Sequence, residues 1–446
     1  MKSSSNSAVG DNLAAGRPSA LPPLSPTSVP CANAAGSRHA NPRILAVWTR
    51  DLDTTERFGR VNVARQVRVA MREIGQVTNR RLTNAFEGAS STGSLLSAVV
   101  ALLGNLLRGS LLPLQCALFA AAAGQSALLA DALEADVVYL DGVRTILLLR
   151  RLRRASKRLR IVVDLDDLMS RRYDQLSRQG LPLSLGYLER MVPRAVSRLA
   201  VTKRLAHLIL SYERLALRHV EREILRLADS VVLLNRAEAM ILLASKRSKR
   251  GSAEAAVVAI PPIAERAHDI AKLMFSPLPD CWRAIFVGSD ILVQNRLTIA
   301  YLLDLWRTFD INTELHIYGR QEGPWPVVPN VIFSGYVPDI RQAYQRGSVM
   351  VYPCLLAGGI KTKVLEAFAH GVPVVGNEAT FESILPPDYP LVINDEAALV
   401  AFLKNPAAHA DRLAQTADII SSYLAREHTA RRFLDRWRDA MLGPAG

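Results

Sequence analysis

The segment from Val331 to Ile384 restricts the folds open to this chain more than any other: VIFSGYVPDIRQAYQRGSVMVYPCLLAGGIKTKVLEAFAHGVPVVGNEATFESI. Two short apolar runs, Val349 to Tyr352 and Val372 to Val375, enclose a Gly-Gly-x-Lys-x-Lys loop and a helix predicted to begin near Lys363. Apolar runs of that length read as strands covered on both faces, as in a parallel sheet. Strand, glycine loop, helix, strand is the unit that offers backbone N–H groups to a phosphorylated ligand at the sheet's carboxyl edge. Gly358 and Gly359 let the backbone come close, Lys361 and Lys363 add positive charge, and Glu366 follows one helical turn later. A carboxylate there is placed to accept hydrogen bonds from ribose hydroxyls while the lysines hold a diphosphate. The other reading of Glu366 is compensation of the helix dipole by an acid in the first turn.

The rest of the chain repeats the alternation of strand and helix. RILAVW from Arg43, DVVYL from Asp136, RIVV from Arg160 and DSVVLL from Asp229 are predicted strands, with helices over Val63–Gly75, Arg144–Lys157, Leu181–Leu227 and Arg236–Lys246. The polar stretch Lys246–Ala253 (KRSKRGSA) reads as a domain boundary. Strands at Val257–Ile260, Ala284–Val287, Glu314–Tyr318 and Val331–Phe333 then lead into the block above, with Leu391–Val392 the last strand. This order predicts an α/β protein with two doubly wound parallel sheets, Rossmann-like domains facing a cleft. The expected division is a disordered leader over 1–42, rich in Ser, Ala, Pro and Gly, a first domain over 43–248 and a second over 249–407. Helices over 408–446 close the structure, with packing back on the first domain one option.

Three acids follow the strand at Arg160, in IVVDLDDLMSRRY: Asp164, Asp166 and Asp167. Carboxylates gathered at a strand's carboxyl end repel one another, so one is expected to have a raised pKa and to serve as a base near neutrality. Asp166 is the first candidate and Asp167 the second. Two other readings stay open: Asp164 or Asp167 capping the next helix, or the trio holding a divalent cation. Arg171 and Arg172 would neutralise the trio or touch an anionic acceptor. On the other side, the Gly288-Ser289 turn after a buried strand either faces a phosphate with its N–H groups or is a plain turn. Arg320 stands at another strand's carboxyl end, where ligands bind in such sheets.

The block KVLEAFAHGVPVV, Lys363 to Val375, resembles the carboxyl-terminal domain of the GT-B glycosyltransferases, in particular their group-1 (family 4-like) set. The resemblance continues upstream through Phe286-Val287-Gly288-Ser289 with Asn295, Leu315 to Arg320, and Ser334 to Asp339. It covers about Ala284 to Ile384 well and the first half loosely. It implies transfer of a sugar from a nucleotide diphosphate sugar to an acceptor hydroxyl, with donor on the second domain and acceptor on the first. It also implies that the loop of Tyr336 and Val337 lies near the nucleotide base, and that Asp166 falls where relatives often carry a histidine facing the reaction centre. Family members grip the diphosphate with an arginine and a lysine after the Gly288-like turn. Here Arg296 is present, the lysine is absent, and Lys361 and Lys363 take over its work. Gly358 occupies the place of a second glutamate that, in many members, touches the donor sugar or its phosphates. A non-catalytic binding or scaffold protein of the same fold is the alternative, and an epimerase or phosphorylase of this shape would reuse the same donor site. GT-B enzymes generally need no metal in the site, and no cofactor is expected.

Charge limits the partners. With 55 Lys and Arg against 41 Asp and Glu, the formal net charge is +14, which favours anionic partners: nucleotide sugars, anionic lipid head groups or nucleic acid. The basic runs lack interleaved aromatics and no nucleic-acid signature appears, so nucleic acid is not expected. Cys31, Cys116, Cys281 and Cys354 show no metal or disulfide spacing, which suits a reducing compartment. With no signal peptide evident, the expected location is cytoplasmic. Between Arg108 and Asp131 lie 22 uncharged residues, broken by Pro113, Gln115 and Gly124. They read as buried or amphipathic helices, with contact to an anionic membrane face as the alternative and a true span as a third. A lipid-linked glycan acceptor follows from the basic, arginine-studded apolar helices.

Overall fold

The computed structural model describes residues 41–54, 59–87, 91–180, 203–245, 255–264 and 282–444. The expected leader, the polar stretch Lys246–Ala253, the first part of the helical region Leu181–Leu227, and Cys31 and Cys281 lie outside the described residues.

The first lobe is built as β1 (Arg43–Trp48), α1 (Gly59–Ile74), β2 (Gln76–Arg81), α2 (Ser91–Leu107), α3 (Ser126–Leu133), β3 (Val137–Asp141), α4 (Ile146–Ala155), β4 (Arg160–Asp166), α5 (Met169–Arg178), α6 (Lys203–Leu227), β5 (Ser230–Leu233), α7 (Arg236–Ala244) and β6 (Ala256–Ala259). Its sheet has the order β2-β1-β3-β4-β5-β6, all parallel. The central strands are buried along both faces, which is why they read as unbroken apolar runs. The edge strand β2, QVTNRR, is almost wholly exposed and polar, so no hydrophobic pattern marked it.

The second lobe follows as β7 (Arg283–Val287), α8 (Val293–Phe309), β8 (Leu315–Tyr318), β9 (Val331–Gly335), β10 (Ser348–Val351), α9 (Thr362–Ala369), β11 (Val374–Val375), α10 (Glu396–Lys404), α11 (Ala410–Glu427) and α12 (Ala430–Leu442). Its parallel sheet runs β11-β10-β7-β8-β9. The expected strand at Leu391–Val392 is reduced to a single bridge, Gly376 to Val392.

One expectation is corrected. The strand near Val257, expected in the second domain, is β6, which pairs with β5 and forms the edge of the first sheet. The change of sheet therefore falls between Ala259 and Arg283, not before residue 249. Four apolar-leaning residues at a sheet edge carry no mark of which sheet they join; pairing partners decide it.

The chain returns to the first lobe at its end. Phe433, Trp437, Ala440 and Met441 of α12 share a core with Ile44, Ala46, Tyr139 and Val162, while α11 packs into the second lobe through Leu413, Ile420 and Leu424. Arg160 donates to the carbonyls of Ala440 and Met441, closing the last turn of α12 with a cation where the helix dipole favours one. Buried His428 stands at the return crossing: its Nδ1 donates to Pro262 O (2.8 Å), and its own carbonyl accepts from Ala264 N–H (3.0 Å). The outgoing and returning strands of chain are thus tied together.

No helix among the described residues is long and apolar enough to cross a membrane. The uncharged stretch forms two helical turns (Leu114–Ala117 and Ala120–Ala123) and the start of α3, and α2 precedes it. Leu96, Val100, Leu103, Leu106 and Leu107 of α2 are more than half exposed.

Candidate active site

The donor-side rim begins where β7 ends. The chain turns at Gly288, where a Cβ would lie 2.8 Å from Lys363 Nζ and from the Asn295 amide. Only glycine leaves that room. Lys363 Nζ donates to Asn295 Oδ1 (2.7 Å) and sits 4.5 and 4.7 Å from the ring centroids of Phe286 and Tyr352. Asn295 is fixed in turn by its Nδ2 on Ser289 O (2.7 Å). Burial pushes the Lys363 ammonium down to about 7, and the charge of Lys361 acts in the same direction. The rings and one amide hold this cation, but they leave it short of a full negative partner. An ammonium has three donors and Asn295 takes one.

The glycine loop ahead of α9 has another set of neighbours. Gly358 and Gly359 both have positive φ, +98 and +63, which a side chain would oppose. Lys361 folds back so that its Nζ donates to Gly358 O. Gly358 N–H donates to Glu382 Oε2 (3.0 Å), and Gly359 N–H to Glu238 Oε1 (3.0 Å) from the opposite lobe. Asn235 Nδ2 donates to Gly359 O (3.2 Å). A Cβ on Gly359 would stand 3.4 Å from Asp167 Oδ2. The glycines therefore admit the first lobe, an approach the sequence reading assigned to ligand alone. At the same seam Gly59 of α1 backs onto Thr362, and Gln179 Nε2 donates to Leu355 O (3.0 Å).

The other donor-side residues spread along the rim. Glu366 is half-buried beyond the first turn of α9, where Tyr344 OH donates to its Oε2 (3.5 Å). Its position past the first turn weakens the dipole reading. The Arg320 guanidinium lies 5.6 Å from the centroid of the exposed Tyr336 ring, so these two loops meet. Val337 is partly buried and packs against the second lobe's core. Arg296 donates its Nε to Asp290 O (3.1 Å), bracing the turn that Ser289 begins. Asp290 in turn accepts from Glu322 N–H, Gly323 N–H and Trp325 Nε1.

Across the cleft, β4 delivers the acids. Its ladder is irregular between Asp164 and Asp166, and Asp166 has φ +70, a conformation uncommon for a non-glycine residue. Asp164 is fully buried and accepts from Tyr139 OH (2.8 Å), Arg60 Nη2 (2.9 Å) and Asp166 N–H (3.1 Å). Arg60 also reaches Asp166 Oδ2 with Nε at 2.7 Å and Asp141 Oδ1 at 3.7 Å. Arg50 pairs with Asp141 at 2.9 Å and with Asp166 at 3.9 Å. Asp167 is taken by Arg172. Neither Asp164 nor Asp167 caps α5, whose N-cap Leu168 has no side-chain cap bond. Arg171 leaves the trio and pairs with Glu382 (2.6 Å) and Glu238 (3.6 Å). Arginines fill the space between the carboxylates, and among the described residues no three His, Cys, Asp or Glu side chains converge as a metal site would require.

Burial raises Asp166 to about 7, with Asp167 adding repulsion and Arg60 opposing. Burial also raises Asp141, but Arg50, Arg60 and Thr49 outweigh it and hold that carboxylate below its usual range. One acid is therefore kept ionised and its neighbour poised to exchange a proton near neutrality.

Arg50, Arg60, Tyr139, Asp141, Asn235, Glu238 and Glu382 escaped the sequence reading. For α7 a signal existed: Asn235-Arg-Ala-Glu238 follows a buried strand and has the spacing of a capping box. Asn235 does cap, accepting from Ala237 and Glu238 N–H. Glu238 turns the other way, to Gly359 and to Leu168 N–H (3.3 Å).

Two parallel-sheet lobes meeting at such a cleft define the GT-B class of fold. Residues 283–417 match the family described as Glycosyl transferases group 1. Solved structures agree on the fold. HepE (Alr3699) of Anabaena, in complex with UDP and glucose, aligns over 90% of this chain and 99% of its own, at 12% identity and TM-score 0.53. Sucrose-phosphate synthase of Thermosynechococcus elongatus covers 89% and 97%, at 13% identity and TM-score 0.56. Trehalose-6-phosphate synthase OtsA covers 89% and 98%, at 11% identity and TM-score 0.54. No curated protein sequence matches the chain.

Proposed function

We propose that this chain transfers a sugar from a nucleoside diphosphate sugar to an acceptor hydroxyl. The observation that carries the reading is Lys363, a partly neutralised cation held at the Gly288 turn on the carboxyl edge of a parallel sheet. The UDP bound in HepE supports a uridine donor. In the step itself the bond from the anomeric carbon to the diphosphate oxygen breaks. The acceptor oxygen bonds that carbon, and its proton passes to Asp166. Lys363 and the turn N–H groups would stabilise the departing diphosphate, and lobe closure would exclude water. Asp167, already paired with Arg172, would orient and not abstract. Lys361 would hold the glycine loop, Glu366 would meet the ribose, and Arg320 with Tyr336 would border the base.

For the acceptor we favour a lipid-linked glycan presented at an anionic membrane face, in polysaccharide or glycolipid assembly. Support comes from the charge-free α2, whose Leu96, Val100 and Leu107 are 64%, 60% and 88% exposed, on a chain of net charge +14. Release of UDP from a panel of UDP-sugars with a lipid-linked acceptor tests the reaction. Asp166→Asn, which tolerates the same backbone conformation, should abolish transfer while leaving UDP bound. No binding of any nucleotide by the wild type would end the reading. Sedimentation with vesicles containing phosphatidylglycerol tests the membrane part, which a wholly soluble protein at low salt would remove.

A further inference from the structure

We propose that Glu238, on the first lobe, is a positioning residue for the donor loop of the second. Its carboxylate fastens Gly359 N–H and so sets the loop from which Lys361 and Lys363 follow. The proposal rests on the donor reading above and adds a part that the matched segment 283–417 does not contain.

The observations are geometric. α7 starts directly after β5, and its N-cap Asn235 is gripped on both sides. Its Oδ1 accepts from Ala237 and Glu238 N–H and from Ser383 Oγ (2.5 Å), while its Nδ2 holds Gly359 O. That rigid helix start aims Glu238 across the seam. The side chain is 1% exposed, an expensive place for a carboxylate unless its oxygens are engaged. Each oxygen is engaged: Oε1 by Gly359 N–H at 3.0 Å, Oε2 by Leu168 N–H at 3.3 Å, with Arg171 at 3.6 Å for charge. Leu168, the N-cap of α5, directly follows the acids at the end of β4, so one carboxylate bridges those acids and the glycine loop. The neighbouring N–H, of Gly358, is taken by Glu382, whose other oxygen holds Arg171 of the first lobe. A Cβ on Gly358 would stand 3.2 Å from Glu238 Oε1. The carboxylate thus fills the space that a side chain at 358 would occupy. Two successive left-handed glycines have no conformation of their own to prefer. With the first lobe docked, Glu238 joins Glu382 and Lys361 of the second lobe in holding this loop.

The consequence is that lobe contact and donor grip form one event. Without the Glu238 acceptor, Gly359 N–H is buried and unpaired, and the loop should open locally while both lobes stay folded.

The test uses the full chain as wild type, Glu238→Ala, Glu238→Gln, Glu238→Asp and, as a buried-carboxylate control away from the seam, Glu213→Ala. UDP is the probe, by calorimetry, together with amide hydrogen exchange. For Glu238→Ala, exchange in residues 355–366 should quicken at least tenfold with the rest unchanged, and the UDP Kd should rise at least fivefold. Glu238→Gln keeps one acceptor oxygen for Gly359 N–H but sets its amide NH2 against Leu168 N–H, so both effects should fall between wild type and Glu238→Ala. The control should lose thermal stability but leave loop exchange and Kd unmoved. Wild-type-like loop exchange and Kd in Glu238→Ala would overturn the proposal. So would a uniform rise in exchange matching the control, since that marks a merely structural acid. If Glu238→Ala does not fold, Glu238→Asp decides: one methylene shorter, it should loosen the loop, and no loosening overturns the proposal. If the wild type binds no UDP, the donor reading falls and loop exchange alone decides the positioning role.

Discussion

The two banks of the cleft are made differently. On the second lobe, Gly358, Gly359, Lys361, Lys363 and Glu366 come from nine consecutive positions, and Asn295 and Gly288 complete the cradle around one lysine. On the first, Arg50, Arg60, Tyr139, Asp141, Asp164 and Asp166 come from four separate segments and neutralise one another. The donor side leaves a cation underpaid in charge. The acid side is nearly balanced, with one carboxylate lifted to about 7. The surplus suits the proposed receipt of an anion, and the near balance suits the proposed movement of one proton.

That contrast makes unequal demands on stability, and Arg60→Ala should show the largest effect. It would leave Asp164, Asp166 and Asp141 facing each other in a buried pocket, at a cost of about 3–5 kcal/mol in urea unfolding. A loss below about 1 kcal/mol would mean the acids do not depend on this arginine. Lys363→Ala should behave oppositely. Stability should change little, because a poorly paired buried cation is removed, while UDP affinity should fall about 10–100-fold, the worth of a charged hydrogen bond. Equal stability losses in the two variants would erase the distinction.

A smaller effect is expected with pH. Diphosphate binding favours the Lys363 ammonium, so affinity should be full below about 7 and weaken as pH rises past it. Calorimetry in buffers of different ionisation enthalpy should then show proton uptake on binding UDP at pH 8, and none in Lys363→Ala. Smallest is the pH dependence of folding from Asp166. Its folded pKa is raised from 3.8 to about 7, so the stabilising neutral form is present below about 4 and its contribution is lost as pH rises through 7. Asp166→Asn should flatten the stability profile across that window by about 1.4 kcal/mol per pH unit. An unchanged slope would place the titration elsewhere.

The donor bank was legible because its residues lie close in sequence and its flanking strands are buried on both faces. Buried strands must be apolar throughout, and a loop between strand and helix has its glycines and lysines in fixed register. Asp166 stood out as a candidate for a similar reason, as one of three acids that follow an apolar run. Arg60 and Glu238 were not: an arginine in an amphipathic helix and a glutamate in a first turn are ordinary surface residues until another segment covers them. Edge strands failed similarly. β2 has no apolar face to declare it, and β6 has too few residues to name its sheet.

The sequence alone therefore determined two alternating strand–helix lobes and the resemblance that the second carries, because local burial and turn geometry are written in short stretches. Tertiary structure alone decided where the chain changes sheets, that α12 returns to cover Tyr139, and which first-lobe groups meet the glycine loop. Those outcomes depend on groups far apart in the chain being desolvated together, and no local pattern records that energy.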